Sequence, residues 1–226
     1  MNEMKGSSPL TVKNMRLSVR FQHVIFPLDM EPFARALSNS GFVLREPIPP
    51  ASPSRVDRLV YTGPMALKDD VVVDINYQMQ FVGVTSQNWE SIVKAFNDVM
   101  RILEDEDSLG GPFKKWFYEF EGHFGYRPTN ENPSRILSSA SSGLKIIQEC
   151  ESVMGTKCAL RDIRIGPANT APDSPDFFEV IIEPTMGRPH SSFEILMIYR
   201  NGKSEQVNEF AGRADKTIQA LMRSLQ

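Results

Sequence analysis

The stretch HVIFPLDMEPFARALS at residues 23–38 has a counterpart, HFGYRPTNENPSRILS, at residues 123–138. Both contain a His, an aromatic residue three positions later, and then a Glu, an Arg, a Leu and a Ser at matching places. Every matched position is offset by 100 residues. A pattern that recurs at a fixed offset indicates a repeated structural unit. We therefore predict an internal duplication, with one unit in residues 1–110 and the second in residues 111–226.

The segments around the two stretches follow the same predicted order. Residues 11–27 and 113–126 alternate apolar and polar side chains with the period of a half-buried strand. In each half we then expect a helix, a short strand, a Pro-rich loop, two strands and a long helix. The Pro-rich loops are PIPPASPSR at residues 47–55 and GPANTAPDSPD at residues 166–176. Each half therefore reads as a βαβββα unit.

The second half contains two predicted helical stretches. One helical stretch is predicted over residues 133–154, although SSASSG at residues 138–143 interrupts it. One closing amphipathic helix is predicted over residues 204–225.

The fold class that follows is α+β, with antiparallel strands and long helices on one face. Two βαβββα units related by a pseudo-twofold axis can share one continuous sheet, as in a saddle, or pack as two lobes. A shared sheet removes one exposed edge from each unit. This order of elements is similar to that of the repeated halves of the TATA-binding protein saddle. No residue motif accompanies the similarity, which implies nothing about function.

The repeated stretch also supplies candidate ligand-binding residues. A His near the end of a strand and close to a helix N-terminus can meet an anion or polar partners. A simpler interpretation is that each Glu and Arg form an ordinary i, i+4 pair on a helix surface. The histidines are left unexplained by that interpretation. The candidates are His23, Glu31, Arg35, His123, Glu131 and Arg135.

The segment EFEGH supplies a second group of candidates, for metal binding or acid–base catalysis. Its members are Glu119, Glu121 and His123, which are spaced by two. On a regular strand they share one face, but neighbours there are roughly 6.5 to 7 Å apart, which is wide for ligands of one metal ion. A bulge at Gly122 would change that spacing. We expect a solvated polar face, and we predict no metal site, no cofactor and no catalytic residue.

Composition limits the plausible partners. The net charge is −3 at pH 7, with 11 basic and 14 acidic residues in residues 1–110 and 14 of each in residues 111–226. Neither half is basic, which disfavours nucleic acid as a partner.

The sequence contains no long apolar run and begins without a secretory signal pattern, so we expect a cytoplasmic protein that does not enter a membrane. Two cysteines, Cys150 and Cys158, are expected to be free thiols.

Two classes of function agree with these observations. The sequence lacks the G-x-S-x-G, Walker A, G-x-G-x-x-G and H-E-x-x-H patterns of common enzymes. We therefore favour a non-enzymatic binding or assembly protein that presents a broad sheet face or groove to a protein or small-molecule partner. The alternative is a small-ligand-binding protein or enzyme, with a pocket between helix and sheet near the His, Glu and Arg sets. Homo-oligomerisation stays open.

Overall fold

The computed structural model describes residues 10–22, 28–45, 62–105, 107–109, 111–129, 132–187 and 189–225. The strands are β1 (Leu10–Phe21), β2 (Val43–Leu44), β3 (Thr62–Lys68), β4 (Val71–Asn76), β5 (Phe81–Ser86), β6 (Lys115–Tyr126), β7 (Ile163–Ile165), β8 (Phe177–Pro184) and β9 (Phe193–Asn201). The helices are α1 (Met30–Asn39), α2 (Trp89–Ile102), α3 (Pro133–Ser141), α4 (Lys145–Met154), α5 (Ser204–Ala211) and α6 (Ala214–Leu225), with a 3-10 helix at Asp107–Leu109.

The strands of the described residues form one antiparallel sheet in the order β2-β3-β4-β5-β1-β6-β9-β8-β7. Its central pair joins the two parts of the chain, because β1 lies beside β6 with Leu17 opposite Phe120 and Ser18 opposite Glu119. Both central strands are 12 residues long, which gives this pairing the longest register in the sheet. Of the two arrangements open at the level of sequence, the structure therefore has the continuous sheet.

The helices cover one face of this sheet. Leu17 and Val19 of β1 and Phe120 of β6 are fully buried on that face. The buried apolar side chains of α1, α2, α3, α5 and α6 belong to the same core cluster. Burying each large side chain stabilises the fold by about 1.5 to 3 kcal/mol. This cluster therefore attaches the helices to the sheet.

The opposite face of the central strands carries polar residues, and we call it the polar face. Alternation along the strands places Arg16, Ser18 and Arg20 of β1 there, together with Glu119 and Glu121 of β6. Apart from Pro133 of α3, the buried apolar residues of the described helices all belong to the core cluster of the other face.

The first part of the sheet has one strand more than the sequence predicts. Residues 71–86 form two strands, β4 and β5, which pair as a hairpin. The Asn76 side chain accepts a hydrogen bond from the backbone N–H of Met79 at 2.8 Å, and Gln80 has a positive φ of 56°. The described order from residue 10 to 105 is therefore βαββββα. Residues 46–61, with most of the first Pro-rich loop, lie outside the described residues.

Both predicted helical stretches of the second half are divided. The stretch over 133–154 separates into α3 and α4, because the hydroxyl of Ser141 donates to the carbonyl of Ser138 at 2.8 Å and local bonds of this type compete with helix continuation. The stretch over 204–225 separates into α5 and α6 at Gly212, a residue of low helix propensity. The prediction of one long closing helix was wrong.

Helix α4 differs from the other helices because none of its residues is buried. Its Ile146, Val153 and Met154 side chains are exposed. The helix ends at Gly155, whose φ of 65° is the left-handed conformation that favours glycine.

Candidate functional site

The repeated Glu and Arg of the first stretch form a surface pair. Arg35 donates to Glu31 at 2.8 Å on α1, and the Arg35 side chain is 70% exposed. This is the i, i+4 helix pair that the spacing predicts. His23 and Glu131 lie outside the described residues.

The second stretch is divided between two sides of the molecule. His123 lies on the polar face, where its Nε2 is 2.9 Å from Oε1 of Glu121. Arg135 is exposed on α3, a helix that packs on the opposite face through Ile136 and Leu137. The sheet therefore separates His123 from the described members of the helical sets, and the structure does not bring these candidates together.

The EFEGH group is arranged on one face as predicted, but its surroundings are different. Glu119 is only 2% exposed, whereas the prediction was a solvated row of side chains. Gly122 pairs with Met15 in regular register, so no bulge forms there. The prediction failed at Glu119 because Arg16 of β1 and Arg200 of β9 cover the carboxylate.

One of those arginines, Arg200, belongs to a row of side chains that crosses the middle of the polar face. It alternates phenylalanine and arginine over five adjacent strands. The Arg20 Cζ lies 5.7 Å from the ring centroids of both Phe81 and Phe117. The Arg200 Cζ lies 5.2 Å from the rings of Phe117 and Phe177. We call this row, from Phe81 through Arg20, Phe117 and Arg200 to Phe177, the arginine–phenylalanine ladder.

The buried phenylalanine rings position the arginines of the ladder. Phe81 and Phe117 are buried, yet they are not part of the core cluster on the helix side. A guanidinium over an aromatic ring gains about 0.5 to 2 kcal/mol, more when it is desolvated. Each ladder arginine contacts two rings, so its head is positioned by packing as well as by charge.

Two carboxylates pair with two of the arginines on this face. The Nε of Arg200 donates to Glu119 at 2.5 Å, and Nη2 of Arg16 lies 3.4 Å from the other oxygen of Glu119. Arg16 also forms a short ion pair with Glu121. Glu119 is therefore a buried carboxylate shared between guanidinium groups from β1 and β9.

Arg20 has no such carboxylate among the described residues. Its Nη1 donates to the backbone oxygen of Met79 at 2.7 Å, and its Nε is buried with no acceptor. Burial is the main factor that lowers the pKa of Arg20, and the positive charges of Arg200 and Arg16 lower it further, while Glu119 opposes the shift. Arg20 is thus the one ladder arginine whose charge the described residues leave without an ion-pair partner.

Unsatisfied donors continue along β1. The Nε of Arg16 and the hydroxyl of Ser18 are buried without a hydrogen-bond partner in the structure, as is the Nε of Arg20. Ser18 lies between Gly83 of β5 and Glu119 of β6, and a Cβ at Gly83 would come within 3.1 Å of the Ser18 Cβ. Because Gly83 has no side chain, the backbone of β5 approaches Ser18 closely at this point of the polar face.

One further acid lies at the edge of this region. Asp74 of β4 accepts a hydrogen bond from the Thr85 hydroxyl at 2.8 Å. Burial raises the pKa of the Asp74 carboxyl, and the Thr85 bond and Arg16 oppose that shift. Its protonation therefore changes at a higher pH than that of an ordinary aspartate.

Other kinds of site find little support in the described part of the chain. No group of three or more His, Cys, Asp or Glu side chains there is placed to hold a metal ion. Cys150 and Cys158 are free thiols. Among the described helices, none has both the length and the apolar content that crossing a membrane requires.

Comparison with known proteins does not identify the chain. No family model matches it, and no curated protein is detectably similar to it.

The sequence contained a signal for this site that spacing alone did not reveal. RLSVRF places Arg16, Ser18 and Arg20 at period two, as EFEGH does for Glu119 and Glu121. Each set resembles an ordinary solvated strand face. Antiparallel pairing of β1 and β6 would have suggested that the arginines face the glutamates, but Arg200, 81 residues beyond Glu119, gave no local indication.

Proposed function

We propose that this chain is a non-enzymatic binding protein whose binding surface is the polar face of the sheet. The single observation that supports this most is the ladder, in which Arg20 lies between two rings and has no carboxylate partner among the described residues. Arg20 is partly buried, and partial desolvation of a charge without a paired opposite charge is costly. A partner that brings a negative group to Arg20 would remove that cost.

The alternative, a ligand pocket between helix and sheet near the repeated His, Glu and Arg residues, has weaker support. Glu31 and Arg35 pair with each other on the exposed surface of α1. An open depression of about 350 Å³ is lined by strand and turn residues and by no helix residue: Lys13, Gly125, Thr185, Met186, Gly187 and Ser192. Neither feature directs a catalytic group toward a bound substrate.

We also propose that the chain arose by duplication of one α+β unit, so that the sheet has a pseudo-twofold axis between β1 and β6. In support, the central strands are antiparallel neighbours, β5 flanks β1 as β9 flanks β6, and β4 and β8 come next on each side. A crystal structure tests this proposal. Residues 23–38 should superpose on residues 123–138 when the halves are aligned, and unrelated positions would contradict duplication.

The binding proposal is tested by native mass spectrometry of the protein purified from its own cells. Wild type should retain a bound species, the Arg20→Gln variant should lose it, and the Arg35→Gln variant should keep it. Arg35 is the matched control because it is also an arginine, but its pair is exposed on a helix. Equal retention by wild type and Arg20→Gln would rule out the polar face as the binding surface.

A further inference from the structure

We infer that Arg16, Ser18 and Arg20 form a binding subsite for an oxyanion, either a carboxylate or a phosphate group. The inference rests on the proposed function, since it names the chemistry that the polar face recognises. These three residues are consecutive outward-facing positions of β1, so their side chains lie side by side on the sheet.

The subsite contains three hydrogen-bond donors that no described acceptor uses. Each of the three residues has a buried N–H or O–H group without an acceptor: Arg16 Nε, Ser18 Oγ and Arg20 Nε. A buried donor without a partner costs about 1 to 3 kcal/mol. Native structures rarely tolerate several such groups together unless a water, ion or ligand completes them. A single oxyanion has enough lone pairs to accept from all three.

The guanidinium groups around the subsite carry a positive charge that the ion pairs with Glu119 and Glu121 do not fully balance. Three guanidinium groups, Arg16, Arg20 and Arg200, lie close enough that Arg16 and Arg200 each lower the pKa of Arg20. Glu119 and Glu121 pair with Arg16 and Arg200 and not with Arg20. A bound anion at Arg20 would balance the third positive charge.

The Arg20 side chain is already positioned by its neighbours before a ligand binds. The Arg20 head lies over two rings and is anchored by the Met79 carbonyl. Arginine recognises carboxylate and phosphate through its fixed planar fork, and less ordering is lost when the fork is already held in place. A cationic ligand is repelled by the two arginines, and a neutral acceptor gains hydrogen bonds without an ion pair.

The ligand must insert between the side chains, since the unused donors are not on the open surface. We therefore expect the Arg16 head to shift when it binds, while the Arg20 head keeps its place over the two rings. Gly83 assists this, because it leaves the adjacent strand without a side chain beside Ser18.

The test is a titration of the 15N-labelled full chain, followed by the arginine Nε–Hε signals in NMR spectra at constant ionic strength. The probes are inorganic phosphate and acetate, with chloride as the reference ion. We expect a saturable shift of the Arg16 and Arg20 signals with at least one probe, while the Arg35 signal stays unchanged. Saturation with phosphate alone identifies a phosphate group as the ligand, and saturation with both probes identifies a general oxyanion site.

Variants separate recognition from charge alone. Arg20→Lys keeps the charge and loses the fork, and Ser18→Ala removes one donor; each should weaken binding by about tenfold or more. Arg20→Gln should abolish the saturable shift of Arg16, whereas Arg35→Gln should leave the titration unchanged. Circular dichroism confirms that each variant is folded.

Two results would overturn the inference. One is a shift that is linear in probe concentration or equal at Arg35, which indicates an adventitious ion only. The other is a saturable shift that survives Arg20→Gln. If Arg20→Gln loses the cellular partner but the purified chain binds neither probe, the oxyanion subsite is wrong and the polar face stays the binding surface.

Discussion

Replacing Glu119 by Gln is the most direct perturbation of the polar face, because this carboxylate joins two arginines while being only 2% exposed. Glutamine has nearly the same shape, but it has no charge and its amide group turns donors toward guanidinium groups that are themselves donors. The change removes one of the two carboxylate oxygens that accept from Arg200 and Arg16, and it removes the negative charge that both arginines share.

The expected loss is large for a single isosteric change. Removing one partner of a buried ion pair destabilises a protein by about 3 to 5 kcal/mol, since the remaining charge stays buried. For a chain of this length, each kcal/mol lowers the melting temperature by about 2 to 4 °C. We therefore expect Glu119→Gln to lower it by roughly 6 to 20 °C.

The assays are thermal unfolding for the melting temperature and urea unfolding for the free energy, both followed by far-UV circular dichroism, with Glu31→Gln as the matched control. Glu31 also pairs with an arginine, but that pair is exposed, so its loss should cost only about 0.3 to 0.5 kcal/mol. A loss below about 1 kcal/mol in Glu119→Gln would refute the claim that the buried pairing stabilises the fold.

A double-mutant cycle identifies the pair itself. Glu119→Gln and Arg200→Gln are measured singly and together, and groups in contact show a coupling energy of about 0.5 to 3 kcal/mol. The Nε of Arg200 lies 2.5 Å from Glu119, so we expect coupling within that range. Strictly additive effects would mean that the two side chains do not interact in solution.

Three further predictions concern other positions. Gly122→Ala should destabilise the fold by about 1 to 3 kcal/mol in urea unfolding, because its Cβ would lie 2.5 Å from the Phe124 ring; an unchanged stability would contradict the packing on the helix side. Asp74 has a raised pKa when folded, so its contribution to stability is present below the usual value of 3.8 and is lost as the pH rises through the folded pKa. Asp74→Asn should therefore lack that part of the pH dependence of unfolding, and identical pH profiles for variant and wild type would refute the assignment. Arg35→Gln should change the unfolding free energy by no more than about 0.5 kcal/mol, since its ion pair is exposed, and a larger loss would show a structural role beyond that pair.

Several features of the fold could be predicted because they depend on neighbours in sequence. The alternation in LSVRF correctly places Leu17 and Val19 on one face and Ser18 and Arg20 on the other. The spacing of Glu31 and Arg35 correctly predicts their ion pair. Helix ends were less predictable, because the break after Ser141 depends on local side-chain bonds that compete with the helix.

The candidate site shows the opposite behaviour. Glu119, Glu121 and His123 were expected to be solvated, and that holds for the half-exposed His123 but not for Glu119. Burial of Glu119 depends on Arg16 and Arg200, which are 103 and 81 residues away along the chain. Periodicity shows which face a residue occupies but contains no information about the strand beside it.

The sequence by itself thus determined the types of element, the polar and apolar faces of β1 and β6, and the local helix pair. Only the tertiary structure decided that these two strands pair at the centre of one sheet, and that β5 on one side and β9 and β8 on the other complete the ladder. The physical reason is the range of the interactions. Side-chain alternation and i, i+4 contacts act over a few residues, whereas the choice of neighbouring strands depends on packing a whole core against the helices.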